Sequence, residues 1–319
     1  MGVYLSAPNK EKISNDGGDG FLAYGASGMQ GWRTGMEDAH ITNENLETQT
    51  ALFAVFDGHG GPEVAQFSSR HFGELLLKQA PYKSGDYGEG LRQAFLGIDT
   101  LLRTEDGIAE IKAQKQEDMK DEGKSLGMLF SSEYNEEGQY RINAGCTANV
   151  ALLKDNKIFV ANAGDSRAVL SRNGLAVALS QDHKPELQGE LDRIRKAGGT
   201  VTDGRVNGNL NLSRSLGDLE YKKDNTIPPE AQLISANPDL EVVDLAPDCD
   251  FLILACDGVW DVMSNQQAVD FVSQKLKQDP NVRISSICED IFEFCCAPTT
   301  AQGIGCDNMT CIIIKFNHQ

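Results

Sequence analysis

Two apolar runs in this chain end alike: residues 51–56 lead into Asp57-Gly58, and residues 251–256 lead into Asp257-Gly258. A run of that length closed by glycine reads as a buried strand whose backbone turns sharply at its end. Each aspartate therefore stands where a strand leaves the core, and carboxylates placed there can converge. Two of them brought close repel unless a cation lies between, and hard oxygen ligands select magnesium, manganese or calcium over zinc or copper. A metal site is the leading expectation.

The chain has 319 residues and 40% apolar content, enough for one large domain or two ordinary ones with a substantial core. A net charge of -18 argues against nucleic-acid binding and against charge-driven docking on an anionic membrane. Eight cysteines without a Cys-x-x-Cys pair or a secretory start read as reduced, mostly buried thiols of an intracellular protein, and zinc is not expected. No stretch approaches the roughly 20 apolar residues of a membrane helix. The start Met1-Gly2-Val3-Tyr4-Leu5-Ser6 fits the N-myristoylation pattern, with Gly2 as acceptor. One acyl chain anchors weakly and only Lys10 and Lys12 add nearby positive charge, so membrane contact is expected to be reversible. The expected state is a cytoplasmic monomer, partly membrane-associated through the acyl group, with the nucleus left open.

Residues 1–20 are polar and glycine-rich towards their end and read as a flexible arm; residues 21–316 read as a single domain. Pro62 opens a helix with Val64, Phe67, His71 and Leu75 on one face, and residues 91–102 form another. Over 104–141 the composition turns to Glu, Lys, Gln, Asp and Gly, an acidic surface insertion with a solvated helix near 108–120. Strands at 146–153 and 157–162 flank Asp155-Asn156, and strands at 168–171 and 175–180 flank Asn173-Gly174, as consecutive hairpins. A loop rich in Asn and Gly at 203–218 can move. Helices at 265–274 and 284–294 precede a closing strand at 309–316. Hairpin-connected strands with helices in separate blocks predict an α+β fold with antiparallel sheets, not a doubly wound one.

Glu37, Asp38, Asp57, Asp257 and Asp307 are the acidic positions of interest. Asp307 begins a strand whereas Asp57 and Asp257 end strands, so adjacent antiparallel strands would bring all three to one end of a sheet. Two divalent ions bridged by a carboxylate there lower the pKa of a bound water and clamp an in-line displacement at phosphorus.

The order of further segments makes the reading specific. They are Gln30-Gly31-Trp32-Arg33-Thr34-Gly35-Met36-Glu37-Asp38-Ala39-His40, Phe56-Asp57-Gly58-His59-Gly60-Gly61, Gly145-Cys146-Thr147-Ala148 and Asn162-Ala163-Gly164-Asp165-Ser166-Arg167. Gln181-Asp182-His183-Lys184-Pro185, Ser213-Arg214-Ser215-Leu216-Gly217-Asp218, Asp257-Gly258-Val259-Trp260-Asp261 and Asp307-Asn308-Met309 complete the set. From about residue 21 to 316 the chain resembles the metal-dependent type-2C family of serine/threonine protein phosphatases. The resemblance implies two stacked antiparallel β-sheets flanked by α-helices on both faces, with the metal centre at one end of the sandwich. It implies hydrolysis of phosphoserine and phosphothreonine in protein substrates by a water activated by two Mg2+ or Mn2+ ions, without a covalent intermediate. By this resemblance Asp57 bridges both ions, Asp257 and Asp307 serve one, and the Gly58 carbonyl serves the other. Glu37 and Asp38 hold metal-bound waters, and Asp165, with Asp257 and Asp261, matches a weaker third metal position. An ion pair with Arg167 is the competing role for Asp165. Arg33 matches the arginine that binds the substrate phosphate through its planar donor fork. His59 is placed to protonate the leaving oxygen, and 203–218 matches a flap beside the site. Cys146 stands where the family commonly has serine.

A cysteine-based phosphatase needs Arg six positions after its nucleophile, and none of the eight cysteines has one. An aspartyl-phosphate enzyme wants Asp-x-Asp at a strand end; Asp57 is followed by Gly58-His59, and Asp248-Cys249-Asp250 precedes its strand. A catalytically silent scaffold of the same fold is the alternative from another class, and the presence of Asp57, Asp257 and Asp307 stands against it.

Overall fold

The computed structural model describes residues 4–121, 134 and 140–317. Its first strands are β1 (Tyr4–Gly18), β2 (Leu22–Arg33), β3 (Ala39–Glu47), β4 (Thr50–Phe56), β5 (Gly58–His59), β6 (Gly145–Cys146), β7 (Ala148–Lys154) and β8 (Lys157–Ala163). They continue as β9 (Arg167–Arg172), β10 (Leu175–Ala178), β11 (Val201–Thr202), β12 (Arg205–Val206), β13 (Leu216–Gly217), β14 (Asp239–Asp244), β15 (Cys249–Ala255) and β16 (Met309–Phe316). The helices are α1 (Glu63–Lys78), α2 (Ala80–Lys83), α3 (Tyr87–Leu102), α4 (Glu105–Asp121), α5 (Gln188–Lys196), α6 (Asp257–Trp260), α7 (Asn265–Gln278) and α8 (Ile284–Cys295). Two compact units interleave along the chain: Met1–Asp57, Thr147–Asp182 and Asp239–Gln319 make one, Gly58–Cys146 and His183–Pro238 the other.

The first unit stacks two antiparallel sheets, one of order β1-β2-β16-β15-β9-β10 and one of order β14-β8-β7-β4-β3. Successive side chains of a strand point to opposite faces. Leu252 and Leu254 of β15 and Ile312 and Ile314 of β16 thus share a core with Phe53 and Val55 of β4. Their neighbours Phe251, Ile253, Cys311 and Ile313 pack with Val269, Ile287, Ile291 and Phe292 of α7 and α8. Both faces of β15 are buried, which is why it reads as an unbroken apolar run instead of an alternating one. The α+β class with stacked antiparallel sheets is what the structure shows.

In the second unit α1 and α3 pair through a core that includes Phe72 and Phe95, whose rings meet edge to face at 5.3 Å. A small sheet of order β13-β6-β5 joins residues 58–59, 145–146 and 216–217.

Three expectations change, and the hairpins hold. Residues 4–18 are not a flexible arm but β1, the edge strand paired antiparallel with β2. Their polar composition is tolerated because an edge strand is held by its main-chain ladder and by polar partners: Ser14 bonds Ser27 at 2.9 Å, Asn15 donates to Thr42 at 2.9 Å, and Lys12 pairs with Glu293 at 2.6 Å. Gly2 lies outside the described residues. The segment opening at 104 is no mere solvated insertion, since α4 buries Ile111 and its Glu110 takes Arg70 and His71 of α1 at 2.8 Å each. Of the rest of that segment, 122–133 and 135–139 lie outside the described residues. The predicted hairpins form, with left-handed Asp155 and Asn156 (φ +50° and +58°) and Asn173 and Gly174 (φ +49° and +78°). They follow one another along the chain and join different sheets: β7 and β8 belong to the five-stranded sheet, β9 and β10 to the six-stranded one. Finally, the end of the 203–218 loop is pinned, because buried Glu190 takes Arg214 at 2.7 Å and Lys222, just beyond it, pairs with Asp99 at 2.6 Å.

Candidate metal centre

Strand register brings the carboxylates together. β3 and β4 pair with Ala39 opposite Phe56, so one step outward Asp38 falls beside Asp57. β9 and β15 pair with Arg167 opposite Ala255, and two steps on Asp165 falls beside Asp257. Carboxylate oxygens of Asp57, Asp165 and Asp257 lie within 4.8 Å of one another, as do those of Asp38 and Asp57 with the Cys256 thiol. Asp307, just ahead of β16, is close enough for its charge to act on both Asp57 and Asp38. Contrary to the expectation from the sequence, the three strand-end aspartates do not share one sheet: β4 lies in the five-stranded sheet while β15 and β16 lie in the other. The cluster therefore spans one end of the sandwich.

Backbone contacts hold these side chains in place. Thr147 grips Asp57 from both sides, donating its N–H to the Asp57 carbonyl at 2.8 Å and accepting the Asp57 N–H on Oγ1 at 3.2 Å. Asn308 ties the Asp307 segment down: its Nδ2 donates to the carbonyls of Gln30 at 2.7 Å and Gly35 at 2.9 Å, and its Oδ1 accepts the Glu37 N–H at 2.9 Å. Gly258 is required here, because a Cβ at that position would overlap the Asn308 carbonyl oxygen and push the Asp307 strand away from Asp257.

The electrostatics record crowding. Burial, followed by the charges of Asp38, Asp257, Asp165 and Asp307, pushes the Asp57 carboxyl well above its ordinary range. Burial also pushes Asp38 up to about 7, although the Thr310 hydroxyl donates to its Oδ2 at 2.7 Å. Asp38 Oδ1 is buried with no hydrogen-bond partner. Buried carboxylates that repel one another and an acceptor without a donor are what a bound hard cation would relieve. Burial, followed by the charges of Asp38, Asp57 and Asp257, pushes the Cys256 thiol well above its ordinary range.

The remaining predicted residues fall as follows. Arg33 pairs through Nη2 with Asp307 Oδ2 at 2.6 Å, and its Nε–H is buried without an acceptor. Arg167 grips Asp182 with Nε and Nη2 at 2.9 and 2.7 Å, and the charge of buried Asp165, a member of the cluster, also acts on it. Asp261 is exposed, one helical turn past Asp257. Glu37 is half-buried and outside the tight groups of ligand atoms. Gly58 and His59 form β5 in the second unit, where His59 Nε2 lies 2.7 Å from Asp218 Oδ2. Burial alone would raise the Asp218 carboxyl, but His59, with help from Ser215 and Lys222, holds it below its ordinary value. Sequence reasoning assigned no role to Thr147, Asp218, Cys256, Asn308 or Thr310. Thr147, Asp218 and Asn308 lie in the quoted segments, so their positions were marked and only their contacts were missing.

The family model for protein phosphatase 2C matches residues 22–304, spanning segments of both units without a break. A rice protein, probable protein phosphatase 2C 11 of Oryza sativa subsp. japonica, is 46% identical over 331 residues, covering 99% of this chain and 91% of its own. Probable protein phosphatase 2C 6 of Paramecium tetraurelia is 46% identical over 316 residues, covering 99% of this chain and all of its own length (100%). The crystal structure of a phosphatase from Toxoplasma gondii shares the fold, with a TM-score of 0.72 at 22% identity over 97% of this chain and 96% of that one. With those carboxylates gathered at one end of a two-sheet sandwich and these relatives along its whole length, the chain belongs to the protein phosphatase 2C family.

Proposed function

We propose that this protein hydrolyses phosphoserine and phosphothreonine in proteins with two Mg2+ or Mn2+ ions held by the cluster. The convergence of Asp38, Asp57, Asp165, Asp257 and Asp307, distant in sequence and mutually repelling, carries the reading. Asp57 lies centrally and would bridge the ions, Asp257 and Asp307 would serve one, the Gly58 carbonyl the other, and Asp165 with Asp261 a weaker third. When bound, the ions supply Lewis acidity that readies a water to attack phosphorus and steadies the charge built up on its oxygens. Asp38, with one oxygen fixed by Thr310 and the other unpartnered, is shaped to orient a water, and Glu37 joins it. Arg33 has an unsatisfied Nε–H to give a phosphate oxygen beside its Nη2 contact to Asp307. His59, two residues beyond Asp57, gives its proton to the departing seryl or threonyl oxygen. Phosphoprotein substrates follow from the family. The Met1–Ser6 pattern supports acylation at Gly2 and reversible membrane attachment of a cytoplasmic protein, which intact-mass measurement of the native N-terminus tests.

The test is manganese-stimulated phosphate release from a phosphoserine peptide. Asp57→Asn removes the bridging charge and should lower kcat/KM by about a thousandfold or more, the scale on which centrally placed charge stabilisation acts. Equal rates with chelator and with manganese would sink the reading.

A further inference from the structure

His59 is held by more of the second unit than a proton donor at a strand end requires. Its Nε2 lies 2.7 Å from Asp218 Oδ2, and the Asp218 side chain is only 4% exposed. Ser215 Oγ donates to the same carboxylate oxygen at 2.5 Å, and the Asp218 N–H donates to the Ala144 carbonyl at 3.1 Å. Asp218 sits at φ +49°, in the left-handed region that aspartate and asparagine enter more readily than other residues with a side chain. The β13-β6-β5 sheet sets His59 opposite Gly145 and Gly145 opposite Gly217, so the imidazole and the carboxylate reach over the central strand at Gly145. A Cβ there would overlap the Asp218 carboxylate and come within 2.7 Å of His59 Nε2. Behind the pair, Lys222 Nζ donates to the Ser215 carbonyl at 2.8 Å and to Asp99 at 2.6 Å.

From this geometry we infer that Asp218 is a positioning residue for His59: it fixes the imidazole's orientation and keeps a proton on Nε2, so that the other ring nitrogen faces the leaving group. The inference rests on His59 acting as the proton donor. As the P–O bond breaks, its electron pair goes to the seryl or threonyl oxygen, which takes the proton from that other nitrogen. His59 becomes neutral imidazole, with Nε2–H still donating to Asp218, and is reprotonated from solvent. Gly145 is then the small residue that lets the pair meet, and Ser215 orients the carboxylate.

The experiment compares two substrates whose leaving groups differ in their need for a proton. A phosphoserine peptide releases an alkoxide that must be protonated; p-nitrophenyl phosphate releases a stabilised phenolate. Asp218→Asn suits the comparison, because asparagine tolerates left-handed φ and preserves shape while removing the charge. The ratio of kcat on the peptide to kcat on p-nitrophenyl phosphate should fall about tenfold or more, a part of what general acid catalysis contributes. His59→Ala should lower the same ratio, and the double variant should fall no further than His59→Ala alone. An unchanged ratio in Asp218→Asn, or additive losses in the double variant, overturns the positioning role while the wild type remains an active phosphatase. A wild type inactive on both substrates overturns the proposed function itself. Should Asp218→Asn fail to fold, nitrogen-15 spectra of the unaltered protein decide, with His59 assigned by its loss in His59→Gln: the neutral ring protonated on Nε2 supports the role, and protonation on Nδ1 overturns it.

Discussion

Arg33 has one buried atom without a hydrogen-bond partner. Its Nη2 is committed to Asp307 at 2.6 Å, while its buried Nε–H has no acceptor, a condition that costs about 1–3 kcal/mol unless something accepts. On the proposed function, a phosphate oxygen beside the cluster would answer it. Lysine in that place keeps the charge but loses both the Nε–H and the planar fork. Arg33→Lys should therefore raise KM for a phosphopeptide about tenfold with a smaller change in kcat, the loss of roughly one charge-assisted hydrogen bond, as read by steady-state kinetics. A KM left unchanged would show that Arg33 serves Asp307 alone. At this scale much of the site was legible, because a carboxylate after an apolar run and an arginine in a matched segment announce themselves by type and place. Asp218 was not, since the side chain it serves is 159 residues away and no local pattern pairs them.

The clearest departure at the level of elements is β1. Glycines, asparagines and charges make residues 4–18 look unable to order themselves, and what orders them is an existing sheet edge together with α8. The N-cap residue of α8, Arg283, makes no side-chain cap, and Asp16 supplies one from the neighbouring strand. Its Oδ1 accepts the Ser285 N–H at 2.8 Å and its Oδ2 the Ser285 hydroxyl at 2.5 Å. Asp16→Ala should lower unfolding free energy by about 1–2 kcal/mol, as lost helix caps do, with denaturation in urea as the measurement. A flexible arm would give no change. Hairpins were legible from Asp155-Asn156 and Asn173-Gly174 because turn chemistry is local. Which sheet each hairpin joins depends on how strands far apart in the chain pair, β8 with β14, β9 with β15 and β7 with β4, and that information is spread over the whole core.

For the molecule as a whole, the carboxylate cluster couples stability to pH and to metal. In the metal-free protein burial raises Asp38 to about 7 from an ordinary value of 3.8, and Asp57 is raised with it. The folded state then binds more protons than the unfolded state across that window, so this contribution to stability is present at its acid end and is lost as pH rises through about 7. On the proposed function, cations would bind the ionised carboxylates and displace those protons, adding about 2.7 kcal/mol when present at a hundred times their dissociation constant. His40, whose pKa burial lowers, tilts the opposite way over the upper part of the range, so the difference between two curves is the informative quantity. With chelator, the unfolding temperature should sit lower relative to the manganese-loaded protein at pH 7.5 than at pH 5.5. The gap should widen steadily between those limits, and Asp38→Asn should narrow it at the upper end by removing one of the groups that must ionise. Chelated and loaded curves that run parallel would mean that the clustered carboxylates are not where the metal binds. Net charge alone, at -18, does not distinguish these outcomes, because charge spread over the surface is screened by salt alike in both curves. Only carboxylates that the fold has forced together give metal and proton a common site for which to compete.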